Sequence, residues 1–408
     1  MLNIFSNENK EIEPYQRDAI DGVSLLLLSK EKIKNSLLYF TMGKGKTLTA
    51  TQIAYNAEFY GLITSLIIVA PPSTHKQWDD LLKKYLTIPF KIVSHQWLGK
   101  NESILSKNLS KTLLIVDEVH QAANRGKTLT KMVSRLINAT FGAVLMSGTP
   151  FRNKEERLYV VHSWLFDDTG SYERWLFLHC NTEPDRFAYY PKFLSFKVGQ
   201  IEDFLAYIDQ GELKRIFIER EDLVFKKTEI NLPMKNADAD TLERFSVYGH
   251  NRIQVANSVR QKLAYLNYLK YCKHIDRDSN GEMTLIEPRE DLIEIIRMYS
   301  NRSPIVYSFS SKVSKLFHEK YGKGSFQVDG KTPKKKKEEI IAKYKQEKGI
   351  MFATDSISTG TDGLQDVTNL IIILDDTMDN TNREQLIGRI AGGFRNTGDA
   401  EVVFINII

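Results

Sequence analysis

SLLYFTMGKGKTLTA, Ser36 to Ala50, joins a short apolar run to a glycine-rich turn and then to a helix-forming segment. That order carries the reading. Gly43, Lys44, Gly45, Lys46 and Thr47 stand where a predicted strand hands over to a predicted helix. Glycines let backbone N–H groups face a phosphate, the helix N-terminus adds partial positive charge, and a lysine neutralises the outer oxygens. The stretch is a candidate cradle for ATP, with Lys46 on the outer phosphates and Thr47 as a ligand of Mg2+. The full pattern has a glycine where Phe40 stands, so the turn alone reads as a nucleotide site ahead of a plain glycine-rich turn.

Working outward, similar apolar runs recur at both ends of the chain. SLIIVA (Ser65 to Ala70), TLLIVD (Thr112 to Asp117) and AVLMS (Ala143 to Ser147) fall in the first third. PIVYSF (Pro304 to Phe309), GIMFAT (Gly349 to Thr354), NLIIILD (Asn369 to Asp375) and EVVFINI (Glu401 to Ile407) fall in the last. Near-continuous apolar runs separated by amphipathic stretches are the pattern of parallel strands covered on both faces. Between them, from about Glu155 to Glu287, the chain is aromatic, charged and mostly helical in period, as in RIQVANSVRQKLAYLNYLKYCKHI. The expected class is α/β: a first lobe at 1–165, a helical insertion or linker at 166–285 with a turn at Asp278 to Gly281, and a second lobe at 286–408.

Composition narrows the function classes. A chain of 408 residues is long enough for two or three domains, and 42% hydrophobic with 26% charged residues is the balance of a globular protein. Two cysteines, Cys180 and Cys272, cannot make a disulfide framework and suit a reducing compartment. Neither lies in the paired cysteine spacing of a structural zinc site. No apolar run approaches the roughly 18 residues of a membrane span, and MLNIFSNENKEIEP has no signal-peptide pattern. A soluble cytoplasmic chain without membrane association is expected. The net charge of +5 permits a polyanionic partner without requiring one. The only low-complexity stretch, KTPKKKKEE, reads first as a solvated helix start.

IVDEVH places Asp117 and Glu118 directly after a predicted strand. Ligands of open parallel sheets bind at the carboxyl ends of the strands, so this pair and the Lys46 turn can converge. Asp117 then holds Mg2+ and Glu118 orients and deprotonates the water that attacks the γ-phosphate. SGTPF, Ser147 to Phe151, follows another strand, and its hydroxyls can report the state of the phosphate. His120, Ser147 and Thr149 are the coupling candidates here. In the last third, REQLIGRIAGGFR offers Gln385, Arg389 and Arg395 beyond a strand; an arginine stabilises charge on a transferred phosphoryl group. Taken singly, the acid pair reads as a surface turn, SGTPF as a Gly-Pro turn, and each arginine as half of a salt bridge.

The ordered series YQRDAI, MGKGKT, IIVAPPSTHKQW, DEVH, SGTPF, IVYSF, TGTDGLQ and QLIGR spans nearly the whole chain and resembles the superfamily 2 helicases and translocases. DEVHQAANRGKT with Asn124, SGTPFRNKEERLY with Asn153 and Leu158, EREDLVFKKTEINLPMK with Leu232 and Pro233, and SVRQKLAYLN are similar to segments of the Swi/Snf-type branch. The resemblance implies two RecA-like lobes with ATP between them and nucleic acid across their outer face. It also implies that Gln16 reads the adenine edge, that Asp362 lies beside the nucleotide, and that Gly360, Gly363 and Gln385 couple nucleotide to strand. Thr359 and Thr361 become phosphate contacts. Three features depart from the branch: Gly392 replaces a second arginine, Gln365 stands where asparagine is common, and DDTMDNTN replaces a tryptophan-containing loop. Either Arg395 substitutes or the arginine finger is weakened. Compact phage or viral repair and recombination helicases of the same superfamily stand as an alternative to that branch, and the expected location is the cytoplasm of a bacterial or virus-infected host cell, with nucleic acid.

A moving enzyme needs a sequence-independent grip on phosphates. Lys76, Arg125, Lys127 and Arg152, with Lys334 to Lys337, are the cationic candidates, each equally readable as a solvated cation. Tyr172, Trp175, Phe187, Tyr189 and Tyr190 read as core packing ahead of base stacking. The expected function is an ATP-dependent DNA helicase or translocase acting on single-stranded, duplex or branched DNA. Two alternatives stand beside it: a nucleic-acid clamp that uses ATP as a conformational ligand, motivated by Gly392, and an RNA helicase.

Overall fold

The computed structural model describes Ile4 and residues 11–106, 108–149, 154–185, 189–220, 225–233, 268–277, 283–357, 364–374, 383, 386–388, 390 and 399–407. The chain divides into two compact units, Met1–Asp222 and Leu223–Ile408.

In the first unit the apolar runs become strands β1 (Asn35–Phe40), β2 (Ser65–Val69), β3 (Phe90–Val93), β4 (Thr112–Val116) and β5 (Gly142–Met146). Helices α1 (Pro14–Leu28), α2 (Lys46–Phe59), α3 (His75–Tyr85), α4 (His95–Leu98), α5 (Thr128–Ala139) and α6 (Glu155–Leu165) alternate with them. The described chain continues through α7 (Tyr172–His179), β6 (Cys180–Glu183), β7 (Lys192–Phe196), α8 (Ile201–Ile208) and β8 (Ile216–Glu219). The main sheet is parallel throughout, in the order β3-β2-β4-β5-β1-β8.

Side chains alternate across a strand, so each apolar run feeds two cores. Leu37, Tyr39, Val69, Val116 and Leu145 pack with Met132, Leu136, Leu158 and Trp175 from α5, α6 and α7. Leu38, Phe40, Ile68, Ile115 and Met146 pack with Val23, Ile53 and Trp78 from α1, α2 and α3. Every residue of β1, β4 and β5 is buried, which is why these segments lack polar alternation.

The second unit repeats the plan. Its strands are β9 (Lys226–Leu232), β10 (Cys272–Arg277), β11 (Met283–Pro288), β12 (Ile305–Tyr307), β13 (Ser325–Val328), β14 (Ile350–Ala353), β15 (Leu370–Ile373) and β16 (Glu401–Ile407). Its helices are α9 (Glu290–Met298), α10 (Ser311–Tyr321) and α11 (Lys334–Glu347). Another parallel six-stranded sheet, β13-β14-β12-β15-β16-β9, is covered on one face by Leu292, Ile296 and Phe317 and on the other by Ile341 and Tyr344.

The stretch 166–285, read from sequence as helical, contains six strands among its described residues. β6 and β7 form an antiparallel hairpin, as do β10 and β11. β8 and β9 add edge strands to the two main sheets. Edge position explains their concealment: β9 alternates exposed and half-buried residues and never shows the continuous apolar run of a central strand. RIQVANSVRQKLAYLNYLKYCKHI lies mostly outside the described residues, as do Asp278 to Gly281.

Candidate nucleotide site

All the described site residues stand at the carboxyl ends of the first sheet. Gly43 (φ 81°) and Gly45 (φ 68°) turn the chain from β1 into α2 through left-handed backbone that glycine adopts without strain. Lys46, the first residue of α2, donates from Nζ to the carbonyls of Phe40 at 2.8 Å and Thr41 at 3.3 Å. Lys44 lies 3.9 Å from Glu219, and its carbonyl accepts from the Tyr15 hydroxyl at 3.2 Å. Thr47 follows Lys46 and is half-buried.

Gln16 is buried, and both ends of its amide are used within the lobe. Oε1 accepts from the Glu13 backbone N–H at 3.0 Å, and Nε2 donates to Thr49 Oγ1 at 3.3 Å. A Cβ on Gly45 would fall 2.3 Å from Gln16 Nε2. The residue assigned to an adenine edge thus also pins α1 onto the glycine turn.

Asp117 is buried directly after β4. Its backbone N–H donates to Val69 O at 2.8 Å, and its carboxylate accepts from Glu118 N at 3.0 Å and Trp78 Nε1 at 3.4 Å. Burial, and then the adjacent Glu118 charge, push the Asp117 carboxyl well above the usual carboxylate range, while Lys46 pulls it back. Lys46 and Asp117 therefore lie near enough for their charges to interact. Glu118 adopts φ 49°, rare for a side chain of its size. Its Oε2 lies 3.2 Å from His120 Nδ1, whose hydrogen bond runs to Ser147 Oγ at 3.1 Å.

One buried atom at these loops, Thr149 Oγ1, makes no hydrogen bond among the described residues. An unsatisfied buried acceptor costs about 1–3 kcal/mol, so such atoms mark places where a ligand or water supplies the partner. A polyphosphate with its cation and attacking water fits this donor set. Gly148 completes the enclosure: a Cβ there would lie 3.4 Å from Phe40 O and 3.6 Å from Lys46 Nζ.

Residues 9–152 match the family described as "Type III restriction enzyme, res subunit", and residues 287–392 match "Helicase conserved C-terminal domain". The chain belongs to the superfamily 2 helicases. This helicase is 22% identical over 395 residues to the Caenorhabditis elegans "SWI/SNF-related matrix-associated actin-dependent regulator of chromatin subfamily A-like protein 1 homolog", with 86% of this chain and 52% of the relative covered. It is 24% identical to the Bos taurus "DNA annealing helicase and endonuclease ZRANB3", with 41% of this chain and 17% of the relative covered. The helicase chain thus spans about half the length, or less, of these curated relatives. Among solved structures, Saccharomyces cerevisiae Dbp5 bound to RNA and ADP BeF3 matches with a TM-score of 0.55 at 12% identity, covering 100% of this chain and 86% of that one. The likeness concerns fold, and both units of the helicase are RecA-like lobes.

Of the helicase's expected nucleic-acid contacts, Lys76 and Lys127 are exposed. Arg125 has other partners. Its guanidinium sits 4.4 Å from the Tyr172 ring and 4.3 Å from the Tyr190 ring, and it donates to the Tyr190 hydroxyl at 3.1 Å. Stacking between two aromatic faces suits a planar cation, so Arg125 ties the loop after Glu118 to the β6–β7 connection. Tyr172 and Trp175 are core, Tyr190 is half-buried and Tyr189 is 90% exposed. Arg152, Phe187, Thr359, Gly360, Thr361, Asp362, Gly363, Gln385, Arg389 and Arg395 lie outside the described residues. Among the described residues no helix is long and apolar enough to cross a membrane, and no cluster of three or more His, Cys, Asp or Glu could hold a metal ion. Sequence reasoning missed Trp78 and His95, which flank Asp117; nothing in IIVAPPSTHKQW or IVSHQWL marks either as a neighbour of the acid pair.

Proposed function

We propose that this helicase is a nucleic-acid-dependent ATPase that couples hydrolysis to movement on, or remodelling of, DNA. The observation that carries the reading is the meeting of Lys46, the Asp117–Glu118 pair and the Ser147–Thr149 loop at the carboxyl ends of one sheet, where the buried Thr149 hydroxyl makes no hydrogen bond among the described residues. Lys46 and the Gly43–Gly45 turn hold the outer phosphates. Thr47 and Asp117 would hold Mg2+, which supplies positive charge to the phosphate oxygens when bound. Glu118 takes a proton as a water oxygen bonds to the γ-phosphorus and the bond to the bridging oxygen breaks, leaving ADP and phosphate. Arg389 and Arg395 stabilise the charge that gathers on the transferred group.

DNA is the proposed track because the relatives' names concern chromatin and DNA. Lys76 and Lys127 are assigned to its phosphates, and the protein is placed with nucleic acid in the cytoplasm. The test is phosphate release by the wild type, Lys46→Ala and Glu118→Gln across single-stranded, duplex and forked DNA and matched RNA. Wild-type release should rise with DNA and be lost in both variants. No release above background on any substrate, or stimulation surviving in both variants, overturns the reading; stronger stimulation by RNA moves the track to RNA.

A further inference from the structure

Trp78 is a fully buried indole that the site as described does not use. It lies on α3, where it and Leu82, one helical turn apart, are the buried residues that seat the helix on the first sheet. The core it enters is apolar, built from Ile68 of β2, Ile115 of β4 and Ile53 of α2. A buried indole N–H in such surroundings needs an acceptor. It finds one in a reacting group: Nε1 donates to Asp117 Oδ2 at 3.4 Å. Strand order makes the contact possible. Val69 of β2 pairs with Val116 of β4, so a side chain from the helix that follows β2 reaches the residue that follows β4. The start of α3 is tied to the same strand end, with His75 Nε2 at 3.0 Å from the Ala70 carbonyl.

The Asp117 carboxylate is buried and has one partner on each oxygen among the described residues: Glu118 N on Oδ1 at 3.0 Å and Trp78 Nε1 on Oδ2. The two donors differ in kind. The Glu118 N–H belongs to the adjoining peptide, whereas Trp78 stands 39 residues away on a separate element and fixes the carboxylate against the packed sheet. Each oxygen keeps acceptor capacity beyond these bonds, which a cation can use. Groups that hydrogen-bond a metal-ligating carboxylate typically contribute about 10- to 100-fold in metal affinity or activity.

We propose that Trp78 is a positioning residue for Asp117: its indole N–H holds the rotation of that carboxylate at which the site accepts Mg2+ with the nucleotide. The proposal rests on the ATPase reading above and adds a side chain that acts through Asp117 without touching substrate. It also gives α3, the helix that carries Lys76, a direct bond to the acid pair.

The experiment measures affinity for a fluorescent, slowly hydrolysed ATP analogue, in Mg2+ and in EDTA, for the wild type, Trp78→Phe, Asp117→Asn and the double variant, with melting temperature alongside. Trp78→Phe keeps an aromatic ring and deletes the donor. The gain in affinity that Mg2+ brings should fall about tenfold in Trp78→Phe, while affinity in EDTA stays within about twofold of wild type. In the Asp117→Asn background the same substitution should change that gain by less than about twofold, because the two residues act as one unit. Trp78→His, whose Nε2 takes the place of the indole nitrogen, should restore most of the gain although its smaller ring lowers the melting temperature. DNA-stimulated hydrolysis should follow the same order, with the half-saturating Mg2+ concentration raised about tenfold in Trp78→Phe. If phenylalanine is not accommodated, Trp78→Leu carries the same expectation. A wild-type Mg2+ gain in the apolar variant overturns the proposal. So does an equal loss of affinity in Mg2+ and in EDTA, an undiminished further loss in the Asp117→Asn background, or a folded Trp78→His variant that restores nothing. A wild type with neither a Mg2+ gain nor DNA-stimulated phosphate release would instead remove the ATPase reading, and this proposal with it.

Discussion

His120 Nδ1 lies 3.1 Å from the Ser147 hydroxyl, which joins the loop after β4 to the loop after β5. Ser147 Oγ also accepts from Thr149 N at 3.0 Å, so one buried hydroxyl serves both loops. Ser147→Ala leaves a buried ring nitrogen and a backbone N–H without that partner, at a cost of about 1–3 kcal/mol. Urea melts should show this loss. DNA-stimulated kcat should fall more than nucleotide affinity, because the contact links loops and holds no phosphate itself. Equal losses in both would mean that Ser147 acts on binding.

Gly45 and Gly61 give a matched pair. Both have positive φ, 68° and 67°, but an added Cβ at Gly45 meets Gln16 Nε2 at 2.3 Å, whereas at Gly61 it meets nothing within 4 Å. Left-handed backbone costs a non-glycine residue roughly 1–2 kcal/mol at either site. Gly61→Ala should lose about that much stability and keep nucleotide binding. Gly45→Ala should lose more stability and weaken nucleotide binding at least tenfold, as read by titration of a fluorescent nucleotide. Identical behaviour would show that Gln16 yields freely.

Asp117 predicts a pH dependence. Its folded pKa is raised by burial and then by Glu118, so its contribution is fully present below the unfolded value of about 3.9 and is lost as pH rises through the folded value. Above that point an unshared buried charge burdens the nucleotide-free fold. Asp117→Asn removes the titration and abolishes phosphate release. The stability of this variant relative to wild type should increase from pH 5 to pH 8 in denaturant melts; a flat difference would contradict the burial effect.

His162 works in the opposite direction. Burial, and then His179, lower its pKa from 6.5 to about 4, and its Nδ1 accepts from Trp175 Nε1 at 2.8 Å. A depressed base gives stability above its unfolded pKa, and that stability is lost as pH falls toward 4, by at most about 1.4 kcal/mol per unit. His162→Asn keeps an acceptor near Nδ1 and removes the titration. Its melting temperature should be lower at pH 8, from lost packing, but should decline less steeply between pH 6.5 and 4.5.

The central strands and the glycine turn were legible because their signals are local. A strand covered on both faces must be apolar at every position, as β1, β4 and β5 are, and a phosphate turn needs its glycines within a few residues of its lysine. The edge strands β8 and β9 gave no such signal. Arg125 was misleading for a related reason: a cation in a loop after an acid box looks available to phosphate until Tyr172 and Tyr190 are found on either side of it.

Residue order alone therefore settled the α/β class, the central strands of both lobes and the positions of the glycine turn and the acid pair at strand ends, since each is written in a window no longer than one strand and its turn. Tertiary structure decided which loops touch. The order β3-β2-β4-β5-β1-β8 sets Trp78 and His95 beside Asp117 and hands His120 to Ser147, and pairings across a sheet depend on strand order, which no short stretch of chain encodes.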